Sequence, residues 1–471
     1  MNKTLFGRRP GRFLMMTMAA ALSTVMLNRP VHAQTGKPEA MVVSPGVTVM
    51  TLADMIEQAV RLSEDTALAS LSVDAARARL DAVNGAGAPR LDLNVSNDVT
   101  SLYDPFTGVV ATTVINGQPV SVDVTRSQPR SILSANLRLS YPILTGGRLK
   151  AQGDAARAGV SAAHAQSDIT AVKVTRDVTL AWFEAHRMNQ RVATEQAQLI
   201  LTMQLAELIN QRVTRGLSAR IDGEAADNDI ASRQARIEQL MASRSAAWIS
   251  LARARGLADI PPEPDWATFT NSQKLGDSIA QLRGLINSNA LPRQQEELVA
   301  AAQAEVRSAG ATGKPNVSLF AQYQAIGRSD GTEWLAINNL RRSDLVIGAR
   351  VEWNLFDGGQ TTARVAEKSA ELNRQQLQRD RTRRYRQFAT AEAQQKLIAE
   401  RHQLDALNSS IRLHSRKIEI ARIKLKSGRA DRRDLTRLQR ELEELTGDIR
   451  QTQLDLLLAH TRLLFARALP Q

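Results

Sequence analysis

Apolar residues along this chain follow two different spacings, and each spacing predicts a different element. A 3,4 heptad spacing runs through Leu397, Leu404, Leu407, Ile411, Ile418, Ala421 and Leu425, then through Leu435, Leu438, Leu442, Leu445, Ile449 and Leu456. Val192, Leu199, Ala206, Ile209 and Val213 repeat the same register 212 residues earlier. Heptads of this kind predict α-helical coiled coils.

Proline placement sets the length of these helices. Positions 143–260 and 316–469 contain no proline, and proline breaks a helix because it lacks an N–H and clashes with the preceding turn. The tracts 147–216 and 359–428 begin and end with glycine and each span 69 positions. If helical throughout, each tract is about 100 Å long. We therefore predict two rods, each turning back on a neighbouring rod at a glycine.

Before each glycine pair, the apolar spacing changes to two. Apolar and polar residues alternate over 133–141 and 345–355, and the opposing strands are expected at about 91–100 and 316–325. Each is roughly the 9–11 residues that cross an outer membrane when the strand is tilted, with one apolar and one polar face. Two ordinary half-buried hairpins are the alternative interpretation.

The rods and strands occur twice because the chain contains a tandem repeat. Tyr141–Gly147 (YPILTGG) matches Trp353–Gly359 (WNLFDGG) at an offset of 212. Gly216 and Gly428, and Asp222 and Asp434, match at the same offset, whereas Gly87–Leu91 matches Gly313–Val317 at an offset of 226. The first copy therefore has the longer loop between its two strands.

Composition and charge then restrict the class of protein. The chain has 471 residues, no cysteine and a formal net charge of +13. Residues 1–33 have the basic start, apolar stretch and small-residue end of a secretory signal peptide. Removing its five basic residues from 61 leaves 56 against 48 acidic residues, or +8. Secretion disfavours a nucleic-acid partner, and the lack of cysteine excludes disulfides, thiol nucleophiles and an N-terminal lipid anchor on cysteine.

Four strands per chain also predict an oligomer. Four strands cannot close into a barrel, and an open sheet edge in lipid leaves backbone N–H and C=O groups without partners. Several copies must therefore combine their strands. The polar strand faces, with Arg138, Arg350 and Glu352, would then line a wet lumen.

With these features in this order and spacing, the mature chain closely resembles the TolC family of outer-membrane efflux and secretion ducts. The resemblance rests on the starts of strands at Pro89 and Pro315, the two strand exits ending in Gly146-Gly147 and Gly358-Gly359, and two rod turns. These turns are Arg215-Gly216-Leu217-Ser218 and Ser427-Gly428-Arg429-Ala430.

The resemblance implies an α+β membrane protein that acts as a homotrimer. Each chain would add four β-strands to a 12-stranded transmembrane β-barrel, and its rods would form an antiparallel coiled-coil barrel across the periplasm. The expected location is the outer membrane of a Gram-negative bacterium. The expected partners are outer-membrane lipid, a periplasmic membrane-fusion adaptor and an inner-membrane ABC or proton-driven transporter. Neither a cofactor, a metal nor a catalytic residue is implied.

The resemblance also assigns candidate functional residues. The turns at Gly216, Leu217, Gly428 and Arg429 would contact the adaptor, and Asp222 and Asp434 match acids that ring the periplasmic entrance. A further family acid is Arg437 here, and residues that hold the entrance closed in relatives correspond to Leu425 and Ala430. We hypothesise that Arg429, Arg432, Arg433 and Arg437 pair with Asp431 and Asp434 of neighbouring chains to close it. A solvated helix tip is the alternative.

The predicted organisation is a signal peptide (1–33), a first repeat (34–255), a linker and equatorial segment (256–277) and a second repeat (278–471). The first repeat holds strands at about 91–100 and 131–142 and rods at about 52–86, 148–215 and 217–255. The second holds strands at about 316–325 and 344–356 and rods at about 279–310, 360–427 and 431–466.

Three functions compete within these limits. An enzyme is disfavoured because the chain has no His-Glu-x-x-His motif, phosphate-binding glycine loop or nucleophile elbow. A periplasmic coiled-coil scaffold explains the heptads but not the alternating strands. Within the duct interpretation, the run Leu355–Gln360 and the missing lipidated cysteine favour type I protein secretion. Small-molecule or drug efflux with a proton-driven pump is the alternative.

Overall fold

A computed structural model describes residues 51–99, 109–124, 131–266, 282–329, 340–429 and 431–469. The predicted signal peptide and Ala430 lie outside these residues. The helices are α1 (Leu52–Leu62), α2 (Glu64–Gly85), α3 (Arg148–Thr214), α4 (Arg220–Ala254), α5 (Ala290–Gly310), α6 (Gln360–Lys426) and α7 (Arg432–Ala468). The strands are β1 (Arg90–Val99), β2 (Val109–Ile115), β3 (Gln118–Val124), β4 (Ser131–Leu144), β5 (Asn316–Ser329) and β6 (Leu340–Glu352).

The two long helices, α3 and α6, are 67 residues each and start and stop at positions separated by 212 residues. At about 1.5 Å per residue, each is about 100 Å long. Helices α4 and α7 pack back along them, so each repeat forms a long antiparallel hairpin. On α6, the predicted heptad residues are the half-buried or buried ones, with Ile418 and Ala421 buried most.

Two shorter helices pack along the strand-proximal parts of the long ones. Helix α2 lies against α3, and α5 lies between α3 and α6. Polar contacts hold α5 on both sides: Gln294 donates to Gln166 of α3 at 2.5 Å, and Lys368 of α6 donates to Glu305 at 2.9 Å.

The structure corrects two of the predicted rods. The rod expected at 52–86 is two helices, because Ser63 between them is extended, with ψ of 129°. The rod expected at 279–310 is interrupted in its described part: residues 282–285 are helical, residues 286–289 are not, and the long helix begins at Ala290. A helix running through from residue 282 would place Pro292 in its interior, where the ring clashes with the carbonyl four residues earlier.

The four principal strands form one antiparallel sheet in the order β1-β4-β5-β6. The strand predicted at 344–356 instead spans Leu340–Glu352, and β5 continues to Ser329 rather than residue 325. Pairing ends at Asn316↔Glu352 because the next residue towards the start of β5, Pro315, has no N–H to donate.

A second, two-stranded sheet, β2–β3, lies in the long loop of the first repeat and was not predicted. Its turn is Asn116-Gly117, with φ of 53° and 78°. Asn-Gly between apolar runs is a strong signal for this turn, since both central residues need positive φ.

The larger apolar core surrounds Trp182, in the middle of α3. Leu52 and Ile56 of α1, Leu251 of α4 and Leu454 of α7 pack there, and all are at most 4% exposed. A second buried cluster lies nearer the strands and consists of Ile169, Val172, Ala290, Phe465, Ala468 and Leu469. The two hairpins are thus joined by apolar packing at the middle of α3. No helix in the described ranges is long and apolar enough to cross a membrane.

Candidate functional site: the hairpin tips and the open sheet

Both helical hairpins turn in the same way at their tips. Gly216 and Gly428 have φ of 71° and 68°. In each turn, the N–H of the residue after the glycine bonds to the carbonyl five residues before it at 2.8 Å. This is the Schellman arrangement, which favours glycine at the left-handed position. The backbones match but the exposed side chains do not: Leu217 is apolar and Arg429 is cationic.

The two predicted entrance acids lie at equivalent places just after these turns. Asp222 and Asp434 are each the third residue of the returning helix. The carboxylate of Asp222 accepts the N–H of Ala219 at 3.1 Å, which satisfies a backbone donor at the start of α4. A negative charge there also interacts favourably with the helix dipole. The structure therefore places both acids where they stabilise a helix start; a role at an entrance stays a prediction.

One ion pair connects the two tips within the chain. Arg212, near the end of α3, donates from Nη1 to Oδ2 of Asp431 at 2.7 Å. Asp431 also caps α7 by accepting the N–H of Arg433 at 3.2 Å. The hydrogen bond from the Arg433 N–H, and to a smaller extent the charge of Arg212, hold the pKa of Asp431 below its usual value. Sequence reasoning missed this pair because the two residues are 219 positions apart.

This pair changes the expected role of the basic tip. Asp431, predicted to bind an arginine of a neighbouring chain, already binds Arg212 of its own chain. Arg437 contacts Glu441 on its own helix at 3.4 Å. In the described ranges, Arg429, Arg432 and Arg433 make no ion pair within 4 Å. The second tip therefore presents three arginines that form no ion pair within the described ranges, beside the exposed Asp434.

A second polar link joins the hairpins farther from the tips. Arg440 of α7 contacts Asp229 of α4 at 3.3 Å, and Arg233 contacts the same carboxylate at 3.7 Å. Arg233 also contacts Glu195 of α3 at 3.1 Å, where that carboxylate is only 13% exposed. Three helices thus share one chain of alternating charges.

The predicted strand–helix junctions have the same backbone in both copies. Pro89 and Pro315 immediately precede β1 and β5. The glycine pairs have positive φ of 59° and 89° in the first copy and 63° and 87° in the second; they are Gly146, Gly147, Gly358 and Gly359. A left-handed pair of this kind excludes most other residues. In the second copy, Asp357 caps the following helix by accepting the N–H groups of Gly359 and Thr361.

The four-stranded sheet has one apolar and one polar face. Register pairs such as Leu93↔Leu137↔Tyr323↔Leu345 place odd-numbered residues together. Exposed apolar side chains on this face include Leu91, Leu93, Val95, Leu139, Leu319, Leu345, Ile347 and Val351. Even-numbered residues form the other face, where most side chains are polar or charged. Strands β1 and β6 are the two edges, and neither pairs on its outer side with a described strand.

An aromatic–arginine cluster on the polar face is a further feature that sequence reasoning missed. The guanidinium carbons of Arg350 and Arg138 lie 5.1 and 6.0 Å from the centre of the Phe320 ring. The ring covers Gly348 on β6, where an added Cβ would be 3.1 Å from it. Phe320 is an apolar residue at an even-numbered position of β5, where most side chains are polar. Only the strand register shows that Arg138 and Arg350 lie on either side of it.

These observations define a class: a channel-forming fold in which an amphipathic sheet continues into two long helical hairpins. Residues 55–257 match the family model described as outer membrane efflux protein. This match covers the first repeat and confirms the resemblance to TolC-like outer-membrane channels. No curated protein sequence matches the chain significantly.

Solved structures share the fold. A membrane protein from Pseudomonas aeruginosa has a TM-score of 0.68 at 17% identity, covering 88% of this chain and 93% of that one. The outer membrane protein VceC from Vibrio cholerae has a TM-score of 0.64 at 19% identity, covering 87% and 95%. The MtrE outer membrane channel of Neisseria gonorrhoeae has a TM-score of 0.66 at 17% identity, covering 88% of each chain.

Proposed function

We propose that this chain is the outer-membrane exit duct of a tripartite export system in a Gram-negative bacterium. The observation that carries the proposal is the four-stranded amphipathic sheet with two free edges, attached to hairpins about 100 Å long. In lipid, each free edge would leave its backbone groups unsatisfied at a cost of several kcal/mol per group. Three copies pairing β6 of one with β1 of the next would close a 12-stranded barrel and remove every edge.

The hairpins then determine where the duct leads. If the barrel lies in the outer membrane, α3 and α6 extend far enough to cross much of the periplasm. Their tips would meet a periplasmic adaptor, which in turn contacts an inner-membrane ABC or proton-driven transporter. The duct conducts passively, without a cofactor or chemical step, and the transporter supplies the energy.

The assembly is tested by the migration of the protein from outer-membrane fractions on gels. We expect a trimer in unheated detergent that becomes a monomer on boiling. Replacing Leu93 or Ile347 with arginine would put a charge on the lipid face, at a cost of about 2–4 kcal/mol at the bilayer midplane and less near its surfaces, and should reduce the trimer. Matched replacement of Ser134 on the polar face should not. Recovery of the native chain as a soluble periplasmic monomer would instead favour the coiled-coil scaffold.

For the cargo, we propose a secreted protein passed in one step by an ATP-driven transporter. The Leu355–Gln360 run, which resembles the branch of the family that serves one-step protein secretion, supports this choice. Small-molecule efflux is the alternative; the description of the matching family model names efflux without naming a cargo. Deleting the gene and comparing secreted proteins with drug and bile sensitivity separates the two. Unchanged secreted proteins with greater drug sensitivity would overturn the protein-secretion proposal.

We also propose that the tips form a gate at the periplasmic entrance. The Arg212–Asp431 pair would hold the two hairpins of one chain together, whereas Arg429, Arg432, Arg433 and Arg437 repel one another across the trimer axis or bind acidic groups there. Asp222 and Asp434 are the remaining gate candidates. Conductance of Arg432→Ala and Arg437→Ala channels in planar bilayers tests the basic cluster; wild-type closure in both would exclude it from the gate.

A further inference from the structure

The polar face of the sheet carries its charges in two groups at different heights. Near the helices lies an arginine girdle, defined as Arg90, Arg138 and Arg350. Register pairs place Arg90 level with Phe320, Arg138 two residues above it and Arg350 two residues below it. At about 3.4 Å per residue, the girdle spans about 14 Å of strand. Among the residues whose side chains the structure describes, the far group is Asp98, Arg328 and Asp344.

The girdle has more cations than anions. Its two carboxylates are Asp92, which accepts from Arg90 at 2.7 Å, and Glu352, which lies 3.9 Å from Arg350. Arg138 is opposite Asp92 in the register but, in the described ranges, makes no ion pair within 4 Å. Three cations against two anions leave each chain with one positive charge at this height.

Phe320 leaves the arginines able to bind a solute. A guanidinium stacked on an aromatic ring uses its face for the cation–π contact, so its in-plane N–H groups remain free to bind an anion. Arg350 is held in this way while 43% of its side chain stays exposed. The Phe320 ring lies over Gly348, where an added Cβ would be 3.1 Å from the ring. The missing side chain of Gly348 therefore leaves room for the ring between the two arginines.

The far charges differ in their distance from the girdle. Register pairs place Asp98 and Arg328 six residues above Arg138, about 20 Å along the strands, which is beyond the Debye length of about 8 Å at physiological salt. Asp344 is level with Gln324, two residues or about 7 Å above Arg138, and lies two strands away from it on β6. Asp344 therefore offsets part of the positive potential at the upper edge of the girdle, and Arg90 and Arg350 carry the positive potential below it.

We propose that the girdle makes this duct select anionic solutes over cationic ones. The proposal rests on the proposed function, because three copies must close the polar face around a lumen. The trimer then has six stacked guanidinium groups and three net positive charges at one height. The second tip has more arginines than acids, and Arg429, Arg432 and Arg433 form no ion pair in the part of the chain that is described, so the opposite end of the duct has the same sign. The preferred cargo is thus a carboxylate- or phosphate-bearing molecule, or a polypeptide rich in acidic residues.

The test is the chloride-to-potassium permeability ratio of the purified trimer in planar bilayers, measured from the reversal potential in a KCl gradient. A local potential of about one kT, within the range that charged clefts produce, gives about a sevenfold preference for chloride. The preference should fall as the salt is raised to about 1 M, where the Debye length is about 3 Å.

Variants locate the effect. Arg138→Gln/Arg350→Gln should bring the ratio to about one, and Phe320→Leu should lower it while all charges remain. Arg328→Gln, the same chemical change at the far end of this face, is the matched control and should keep the preference. If the double variant does not form the heat-modifiable trimer, the two single variants carry the same comparison, each with a smaller decrease.

Three results would overturn the proposal. The first is a native channel that prefers potassium. The second is a chloride preference that survives in Arg138→Gln/Arg350→Gln. The third is a preference lost equally in Arg328→Gln, or lost only in Arg429→Gln/Arg432→Gln, which would assign it to the tip. A trimer that conducts no ions, even after Arg212→Ala, would contradict the proposed duct itself.

Discussion

Breaking the Arg212–Asp431 pair should open the channel, and the structure sets the size of the effect. Both side chains are more than a third exposed, at 36% and 37%. Solvent screening therefore limits the pair to about 0.5 kcal/mol, within the 0–1 kcal/mol typical of exposed pairs. If three pairs in a trimer break together, the closed state loses about 1.5 kcal/mol. The ratio of open to closed channels should then rise about tenfold.

Single-channel recording in planar bilayers measures this ratio directly. Arg212→Ala and Asp431→Ala should each raise the open fraction of the channel. The open fraction of the double variant should be close to that of either single variant, because both changes remove the same contact. Asp431→Ala also removes the α7 cap, at about 1 kcal/mol, so Asp431→Asn serves as the milder variant.

Arg220→Ala is the matched control, since Arg220 is a tip arginine whose contact with Glu224 stays within its own helix. The native channel and this control share one prediction on pH, because both keep the Arg212–Asp431 pair. The pKa of Asp431 is lowered, so the pair persists at neutral pH and is lost only as the pH falls through that lowered value. Additive effects of Arg212→Ala and Asp431→Ala, or equal opening by Arg220→Ala, would refute the reasoning.

Three further predictions concern stability, each measured by thermal unfolding of the detergent-solubilised protein. Gly447→Ala should lower the free energy of unfolding by about 1 kcal/mol, because the added Cβ would lie only 2.4 Å from Thr194 Cγ2. Overpacking of this kind costs about 1–3 kcal/mol, which exceeds the gain of about 1 kcal/mol in helix propensity. Thr194→Ala should remove this penalty. Gly146→Ala should destabilise more than Gly358→Ala, since only Gly146 has a close neighbour, Lys314 Cβ at 2.5 Å. His186 is buried, and burial lowers its pKa to about 4. Stability should therefore fall by roughly 3 kcal/mol between pH 6.5 and 4, and His186→Phe should abolish this loss.

Periodicity and repeats predicted most of the backbone. The long helices could be predicted because each repeats one local requirement: apolar residues on a seam and no proline. Their ends could be predicted because Gly147 and Gly359 must adopt positive φ. The break at Ser63 could not, since serine is compatible with a helix and only the packing of Leu52 and Ile56 against α3 fixes the bend there.

The contacts between the two repeats were beyond such reasoning. Arg212 and Asp431 are distant in sequence and each has other charged neighbours, so no spacing rule selects this pair. The same is true of Arg386, which donates to the Arg467 carbonyl at the end of α7 at 2.5 Å. His414 lies between the heptad residues Ile411 and Ile418, half-buried, with Nε2 3.7 Å from Glu441.

Divergence of the two tips explains why the inter-hairpin pair exists. At the N-cap of α4 the first copy has Ala219, which has no side-chain acceptor, so Asp222 reaches back to accept its N–H. The second copy has Asp431 at the equivalent position, which caps α7 with its own side chain and still has an oxygen for Arg212. Because Asp431 caps α7, Asp434 does not act as a cap as Asp222 does, and its exposed carboxylate lies beside the arginines of the second tip. The difference between Ala219 and Asp431 therefore accounts both for the link between the hairpins and for the carboxylate of Asp434 that is not used as a cap.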